Sequence, residues 1–483
     1  MSENRICITI NGQKLSVDKG TRIEELFRGK KGKKDSLIVG ARVNNQIREL
    51  TYPIEEECTI EPVDLTSEDG IRIYQRSLTF LLIKAVHDLF PEKIIQIRHS
   101  VSRGIFFEII DHKVTGQDAE KIEKRMREIV EMNKEIKKLT LPVDEAKEFF
   151  LKTGREDRYR LVKNRKKDYV TLYELDDVRD YFYGHMVPST GYLNLFRIEA
   201  HHDGIVLMTP KKDSPNEIPD IPIPQKLFGI FTEYSDWLSI LGVEDVGNLN
   251  EAVENGKIDE LVLISEALHE KKIASIADMI KSQQPQKRVI LIAGPSSSGK
   301  TTFAQRLSVQ LRVNGLVPLN ISVDDYFVNK SRTPLDEEGK PDYEALEAVD
   351  LELFNNDLIT LLNGGEVELP KYNFITGERE YTGRKLRMEE GQVLVIEGIH
   401  ALNPGLTSKV KEENKFKIYI SAITSMRIDM HNRIPTTELR LLRRIVRDNR
   451  FRGTPAPRTI DMWPNVRSEE RRVGKECRSR WSP

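Results

Sequence analysis

Cysteine is almost missing: Cys7, Cys58 and Cys477 are the three present in 483 residues. So few, so far apart, make neither a disulfide framework nor a cysteine zinc site, and they fit a reducing compartment. A charge excess is lacking too, with 75 Lys+Arg against 76 Asp+Glu and a net charge of −1. No chain-wide attraction to nucleic acid or to a membrane surface follows from that balance, which leaves only local patches. No apolar run approaches the ~18 residues of a membrane span; residues 78–83, the greasiest stretch, run straight into Lys84. The opening MSENRICITI has no basic segment leading into an apolar one, so no secretory leader is read there. These absences predict a cytoplasmic protein without membrane contact. What is present is ordinary for packed cores, 39% hydrophobic and 31% charged residues, and the length predicts several domains of ~100–200 residues each.

Residues 1–65 read as a small β-grasp unit. Ile6, Ile8 and Ile10 alternate with polar residues, Asn11-Gly12 supplies a two-residue hairpin turn, and Leu15 and Val17 alternate again. Thr21 caps a short helix with Ile23, Leu26 and Phe27 on one face, and residues 37–43 and 58–63 supply further strands. This layout resembles the TGS domain at the front of threonyl-tRNA synthetases, a structural module without chemistry of its own.

Residues 66–210 form a second region. Leu78, Leu81, Leu82 and Val86 predict a helix ending before Pro91, residues 105–110 a strand, and residues 117–138 a charged amphipathic helix. The order, with the string SVSRGIFFEI, resembles the α+β editing domain of threonyl- and alanyl-tRNA synthetases. That family holds a metal with two histidines on the first helix and a later Cys and His. Here those positions fall on Arg76, Phe80, Phe182 or Tyr183, and His185. One imidazole does not hold a catalytic zinc, which takes three protein ligands, so the resemblance implies a scaffold without zinc ligands or deacylase activity. His201-His202 reads as surface loop. Residues 154–167 carry Arg155, Arg158, Arg160, Lys163, Arg165, Lys166 and Lys167 around Tyr159. They offer RNA phosphates a grip, although Glu156, Asp157 and Asp168 interrupt them and favour a solvated face. Residues 211–286 read as a proline-rich linker followed by a helical segment over about 227–281.

The chemistry is concentrated after residue 287. Residues 289–293, VILIA, have the continuous apolar character of a buried parallel strand. Directly after them, Gly294-Pro295-Ser296-Ser297-Ser298-Gly299-Lys300-Thr301-Thr302 matches GxxxxGK[ST]. The glycines let backbone N–H groups wrap phosphate, Lys300 reaches the β/γ oxygens, and the Thr301 hydroxyl suits Mg²⁺. Gly294, Ser296, Ser297, Ser298, Gly299, Lys300, Thr301 and Thr302 are therefore the expected nucleotide-binding residues. A second strand over 318–323 runs into Asp324-Asp325-Tyr326-Phe327, which puts Asp324 where a base orients an acceptor hydroxyl. Residues 393–396 form another buried strand ending in Glu397, a Walker-B-like carboxylate suited to Mg²⁺ with Thr301. Arg440, Arg443, Arg444 and Arg447 share one helix face. Read as unpaired, they suit a lid that clamps transferred phosphate.

In that order, with Pro370-Lys371-Tyr372-Asn373-Phe374 and RxxRRxxRDxxxRG from Arg440 to Gly453, residues 287–466 resemble the uridine–cytidine kinase and phosphoribulokinase family. The resemblance implies Asp324 as general base beside Lys300, and Glu397 as the Mg²⁺ carboxylate. It also implies Tyr372, Arg440 and Arg443 at the nucleoside, and Glu344 at its ribose, with Asp342 a close competitor. Where the family reads the base with a histidine this chain has Gly377, and Asn373 replaces an aspartate. The implied function is transfer of the ATP or GTP γ-phosphate to a nucleoside 5′-hydroxyl. The alternatives are a phosphoribulokinase-type sugar kinase and an RNA- or ribosome-associated P-loop NTPase whose front domains contact RNA. The whole order resembles the long bacterial uridine kinases with synthetase-like front ends, and a homo-oligomer is compatible with it. Residues 467–483, RSEERRVGKECRSRWSP, resemble translated sequencing adapter, which implies a truncated kinase domain. The expected class is thus multidomain α/β: a β-grasp domain, an α+β editing-like domain and a P-loop domain on a parallel sheet.

Overall fold

The computed structural model describes residues 5–101, 104–220, 225–335, 339, 341–343, 345–373, 376–424 and 426–464. The chain divides into two compact units, one of Met1–Ile258 with Ser425–Ile434, the other of Asp259–Thr424 with Pro435–Pro483. The α/β multidomain class is as expected from the sequence.

The first unit opens with a five-stranded sheet. Its spatial order is Gln13–Asp18, Arg5–Ile10, Cys58–Asp64, Ile38–Val43 and Gln46–Arg48. Arg5–Ile10 runs parallel to Cys58–Asp64 and antiparallel to Gln13–Asp18, which is β-grasp topology. Ile8, Ile10, Val43 and Ile60 bury one face against Ile23 and Phe27 of the short helix, so the period-2 alternation of the sequence becomes the core. The helix Glu68–Leu89 follows, its Ser67 hydroxyl accepting from the Gly70 N–H as an N-cap. It packs on a four-stranded sheet ordered Arg197–His201, Gly204–Met208, Gly104–Ile109 and Ile95–Ser100.

The charged helix ends earlier than the sequence predicts. It spans Gly116–Glu131, and Lys137–Pro142 is instead a strand paired with Tyr169–Leu175. Asn133, at φ +48°, lies in the turn that breaks it. The helical stretch after the linker is three helices, Gln225–Ile240, Val246–Glu254 and Ile258–Ser282.

The second unit is built on a parallel sheet ordered Val317–Ser322, Gln392–Glu397, Val289–Ala293 and Lys415–Tyr419. Ile273, Ala277 and Ile280 of the long helix join Phe303, Leu307 and Leu311 of Lys300–Val313 on one face. Phe354, Leu358 and Leu361 of Leu351–Leu362 cover the other. With both faces covered, the strands need no polar alternation, which is why VILIA and VLVI read as unbroken apolar runs.

Candidate functional site

Three carboxyl ends of the parallel sheet converge. The register pairs Glu397 with Ile292 on one side and with Ser322 on the other, so Glu397 leaves the sheet level with the start of the glycine-rich loop and two residues from Asp324. Open parallel sheets present their ligand sites at this edge.

The loop 294–299 is shaped by backbone demands. A Cβ on Gly294 would lie 2.1 Å from the Ile420 carbonyl oxygen and 2.9 Å from Ser298 Oγ, so no side chain fits there. Ser297 and Gly299 take positive φ, +62° and +100°, and Gly299 caps the helix Lys300–Val313 in the left-handed conformation. The Ser298 N–H donates to Pro295 O at 3.1 Å, closing the loop. Such alternation of helical handedness turns successive N–H groups into a concave anion nest at a helix N-terminus. The buried hydroxyl oxygens of Ser297 and Ser298 have no hydrogen-bond partner. A cradle with spare hydroxyls fits the phosphates of a nucleoside triphosphate.

Lys300 Nζ donates across the loop to Pro295 O at 3.4 Å. The Thr301 hydroxyl donates to Glu397 Oε1 at 3.1 Å, and Ser322 Oγ to the same oxygen at 3.4 Å. A threonine hydroxyl beside a carboxylate is an all-oxygen pair of the kind Mg²⁺ takes along with phosphate and water, so these two residues fit that ion. Thr302, the next residue of the helix, is exposed.

Asp324 sits in the one-turn helix Val323–Tyr326 directly after its strand, half-buried. Its charge reaches Arg452 of the arginine-rich helix, opposing the burial and the neighbouring Arg447 and Arg444, which lower the Arg452 pKa. The next residue has a different task. Asp325 Oδ1 accepts the Tyr372 N–H at 3.4 Å, which ties the strand Glu366–Asn373 to this turn. Burial raises the Asp325 pKa, against the Tyr372 N–H and the charges of Arg384 and Lys371. Tyr372 is buried, and its ring meets Phe327 edge-on at 5.5 Å. Asn373 donates to Glu380 Oε1 at 2.8 Å, within the hairpin. Gly377 has φ +75°, and a Cβ there would come within 2.9 Å of Lys330 Cβ. Glu344 lies outside the described residues, while its competitor Asp342 donates its N–H to Pro334 O at 2.7 Å.

The arginine helix spans Thr436–Arg452. Arg440 Nη2 donates to Ser296 O at 2.6 Å, Arg443 Nε to Ser297 O at 3.1 Å, and Arg444 Nη1 to Ser296 Oγ at 3.0 Å. Three of the four sequence-predicted arginines therefore bond residues of the phosphate loop. The expectation of an unpaired cluster is corrected here. Buried Asp448 Oδ1 accepts from Arg447 Nη2 at 2.7 Å, and its Oδ2 lies 3.3 Å from Arg444 Nε. A helix carrying this many cations packs only with an internal counter-charge, and Asp448 supplies it. Its place in the quoted RxxRRxxRD string was the available signal.

In the first unit, the positions matched to the editing metal come together without metal-binding chemistry. Arg76 Nη1 donates to His185 O at 2.6 Å, and the Phe80 and Phe182 rings meet at 5.3 Å. The His185 ring lies 3.4 Å from Glu49, whose pKa is lowered although burial raises it, because His185, Tyr173 and Lys138 outweigh the burial. A guanidinium and two phenyl rings do not fit a zinc site. Among the described residues His87, Asp88 and Asp177 form the one group spaced for an ion. Lys84 Nζ already bonds Asp88 at 2.5 Å and Asp177 at 2.6 Å.

The basic run 154–167 is divided: Lys163, Lys166 and Lys167 are exposed, as a solvated face predicts, while Arg155, Arg158, Arg160 and Arg165 are buried or half-buried. Arg158 is buried on Asp180, Arg160 pairs with Glu156 and Asp245, Lys163 pairs with Glu254, and Arg165 donates to the Tyr181 hydroxyl. Lys166 and Lys167 remain exposed. His201 and His202 sit at a surface hairpin tip, with His202 at φ +48° and stacked on Phe228.

Residues 289–470 match the model of the Phosphoribulokinase / Uridine kinase family. The synthetase-like part is similar to the threonine–tRNA ligase of Aquifex aeolicus, 29% identical over 201 residues, 41% of this chain and 31% of that enzyme. The chain thus spans under a third of the length of the curated relatives it matches. Among solved structures, a possible uridine kinase from Bacillus stearothermophilus aligns at 21% identity and a TM-score of 0.25, over 36% of this chain and 91% of that one. A D-glycerate 3-kinase from Cryptococcus neoformans aligns at 14% identity and 0.30, over 41% and 87%.

Proposed function

We propose that the chain is a Mg²⁺- and ATP- or GTP-dependent phosphotransferase whose acceptor is the 5′-hydroxyl of a nucleoside. The observation that carries the reading is the Thr301 hydroxyl on Glu397 at 3.1 Å beside a loop with no room for side chains at Gly294. Mg²⁺, when bound with the nucleotide, supplies charge neutralisation of the phosphate oxygens. The chain's own residues do the rest. Backbone N–H groups of 294–299 and the Lys300 ammonium hold the β- and γ-phosphates. Asp324 accepts the proton of the acceptor hydroxyl and orients it in line. Arg440, Arg443, Arg444 and Arg447 meet the charge that spreads over the transferring group. Tyr372 and the 342–344 segment, including Glu344, hold the acceptor. Residues 1–65 and 66–210 act as TGS-like and editing-like modules without deacylase chemistry, in a cytoplasmic protein.

A second acceptor class, a small sugar or sugar phosphate, is favoured by Gly377. At that position there is no side chain to read a base, and Lys330 already crowds it at 2.9 Å. A panel of nucleosides and sugar phosphates with labelled ATP separates the two. Asp324→Asn should lower turnover on the active acceptor by ~10²–10⁴ while nucleotide binding survives. RNA-stimulated hydrolysis with no acceptor phosphorylated overturns both kinase readings.

A further inference from the structure

Residues 28–34 read Arg-Gly-Lys-Lys-Gly-Lys-Lys, five cations in seven positions of a chain whose overall charge is balanced. The kinase reading makes no use of them. Their loop follows the short helix Ile23–Phe27 of the β-grasp domain and is held in one shape through its backbone. The Lys33 N–H donates to Asp64 Oδ2 at 2.6 Å, and the Gly32 N–H to Ser36 O at 2.8 Å. A Cβ on Gly32 would lie 2.4 Å from Asp64 Cβ, so this close approach needs glycine. Asn216 Nδ2 donates to Lys34 O at 2.8 Å, which ties the loop to a later segment of the same unit.

Beside the loop, within the first unit, lies a cavity of about 780 Å³, the size of a small-molecule site. Phe27, Leu37, Leu50, Leu65, Tyr74 and Leu195 form its apolar wall, so the β-grasp and editing-like domains both contribute. The Tyr74 hydroxyl accepts the Leu195 N–H at 2.9 Å and donates to Leu195 O at 3.3 Å, which fixes that part of the wall. Tyr192 also lines the cavity, half-buried and packed against the cores of both domains. Burial raises its phenol pKa; the Glu24 charge adds to the rise and the Arg28 charge opposes it, so both ions reach that hydroxyl. Arg28, Lys30 and Lys31 line the opening and are exposed, and Glu24 and Asp35 bring carboxylates.

These parts call for a ligand with three kinds of surface. An apolar wall with a tyrosine takes a flat ring by burial and stacking. Clustered guanidinium and ammonium groups take phosphate oxygens. Carboxylates accept from sugar hydroxyls and disfavour a ligand that is anionic all over. A lipid tail would leave the carboxylates unused, and inorganic phosphate would leave the wall unused. We propose that this cavity is a binding site for a nucleotide, its base against Tyr192 and its phosphate on Arg28, Lys30 and Lys31. The site lies wholly in the first unit and does not rest on the kinase reading. It gives the synthetase-like part a ligand of its own where it has no zinc site.

Hydrogen exchange of the full chain with AMP or UMP, read peptide by peptide, tests the site. Either nucleotide at millimolar concentration should slow exchange in 24–38 and 190–195 by about 10-fold. Lys300→Ala, which disables the phosphate loop, should leave that protection in place. Half-saturation read from the same peptides should rise about 10-fold in Tyr192→Leu, and about 10-fold or more when Arg28→Glu and Lys31→Glu are combined. Adenosine and uridine should bind about 10-fold more weakly than their monophosphates, and inorganic phosphate alone should protect nothing. Unchanged exchange in the strand Cys58–Asp64 shows that a variant is folded; where a variant loosens it, the nucleotide, nucleoside and phosphate series on the wild-type chain decides alone. Absence of protection with both nucleotides overturns the proposal. So does protection that inorganic phosphate or the bare nucleosides reproduce equally, that survives either pocket variant unchanged, or that vanishes in Lys300→Ala.

Discussion

Asp448→Asn isolates the counter-charge of the arginine helix with almost no change of shape. The carboxylate accepts two bonds from Arg447, at 2.9 and 2.7 Å, lies 3.3 Å from Arg444 and 3.9 Å from Arg452. Removing one side of a buried ion pair costs ~3–5 kcal/mol, because the partner charges stay behind. Here Arg447 and Arg452 side chains are 29% and 59% exposed, and water screens their share. About 2 kcal/mol remains, drawn mainly from Arg444 and from the repulsion among the three guanidinium groups. Local opening of the helix is the matching observable, since unfolding of a two-unit chain is not one transition. Amides of 444–452 should exchange about 30-fold faster in the variant, at 1.4 kcal/mol per decade. Trp463, buried beneath Arg440 at 5.5 Å, should change its fluorescence along with them. Nucleotide with Mg²⁺ brings anionic oxygens to the same arginines and should restore part of the protection. An exchange rate within about 3-fold of wild type would show that solvent alone neutralises the helix, and the argument for Asp448 would be wrong.

Other perturbations reach different parts of the molecule. Gly294→Ala puts a methyl group 2.1 Å from Ile420 O, so the phosphate loop must move; nucleotide affinity in a titration should fall by about 100-fold or more. Asp324→Asn should lower kcat by ~10²–10⁴ with the nucleotide Kd unchanged, and a parallel loss of binding would place Asp324 in a structural role. His99 is buried, stacked on Phe231 at 4.5 Å, and burial pushes its pKa down to about 3. The folded state then stays neutral there while the unfolded state takes a proton below ~6.5, so stability is lost as pH falls from that value toward 3. At pH 5 the loss is about 2 kcal/mol. His99→Phe should remove that part of the acid sensitivity of the first unit, and an unchanged pH profile would refute it.

The kinase-like half was legible because its chemistry is local. Gly294 to Thr302 is one continuous string, residues 289–293 and 393–396 are unbroken apolar runs, and Asp324 closely follows, and Glu397 ends, a strand of the same parallel sheet. Parallel strands buried on both faces leave that pattern whatever their neighbours are. The basic run 154–167 was not legible for the opposite reason. Whether Arg158 is a phosphate grip, a solvated cation or a buried ion depends on Asp180 and Asp429, which stand 22 and 271 positions away, and no periodicity within the run reports on them. The early end of the helix at Glu131 was decided by strand pairing of Lys137–Pro142 with Tyr169–Leu175, a tertiary choice that overrides local propensity.

The same contrast explains why Asp429 and His431 escaped notice although they lie inside the family-like stretch. A segment between a sheet strand and a lid helix is ordinarily a loop on the kinase's own surface, and its composition, Met-Arg-Ile-Asp-Met-His-Asn-Arg, alternates apolar and polar residues as a surface strand would. Its polar members are nonetheless the buried ones: Arg427, Asp429, His431 and Asn432 are all buried. Alternation reports two faces of a strand, but it does not say which face meets solvent when the partner surface is itself charged. Arg158 and Asp180 invert the usual assignment here, so the segment docks by its polar face. Charges buried on both sides demand complementary pairs, which makes the docking selective for one register. Replacing Asp429 alone should therefore dislodge the segment, while an apolar substitution at Ile428, off the ion-pair network, should be tolerated. Hydrogen exchange of 426–434 in Asp429→Asn and Ile428→Val distinguishes the two, and equal loosening in both would mean that the apolar face holds the segment after all.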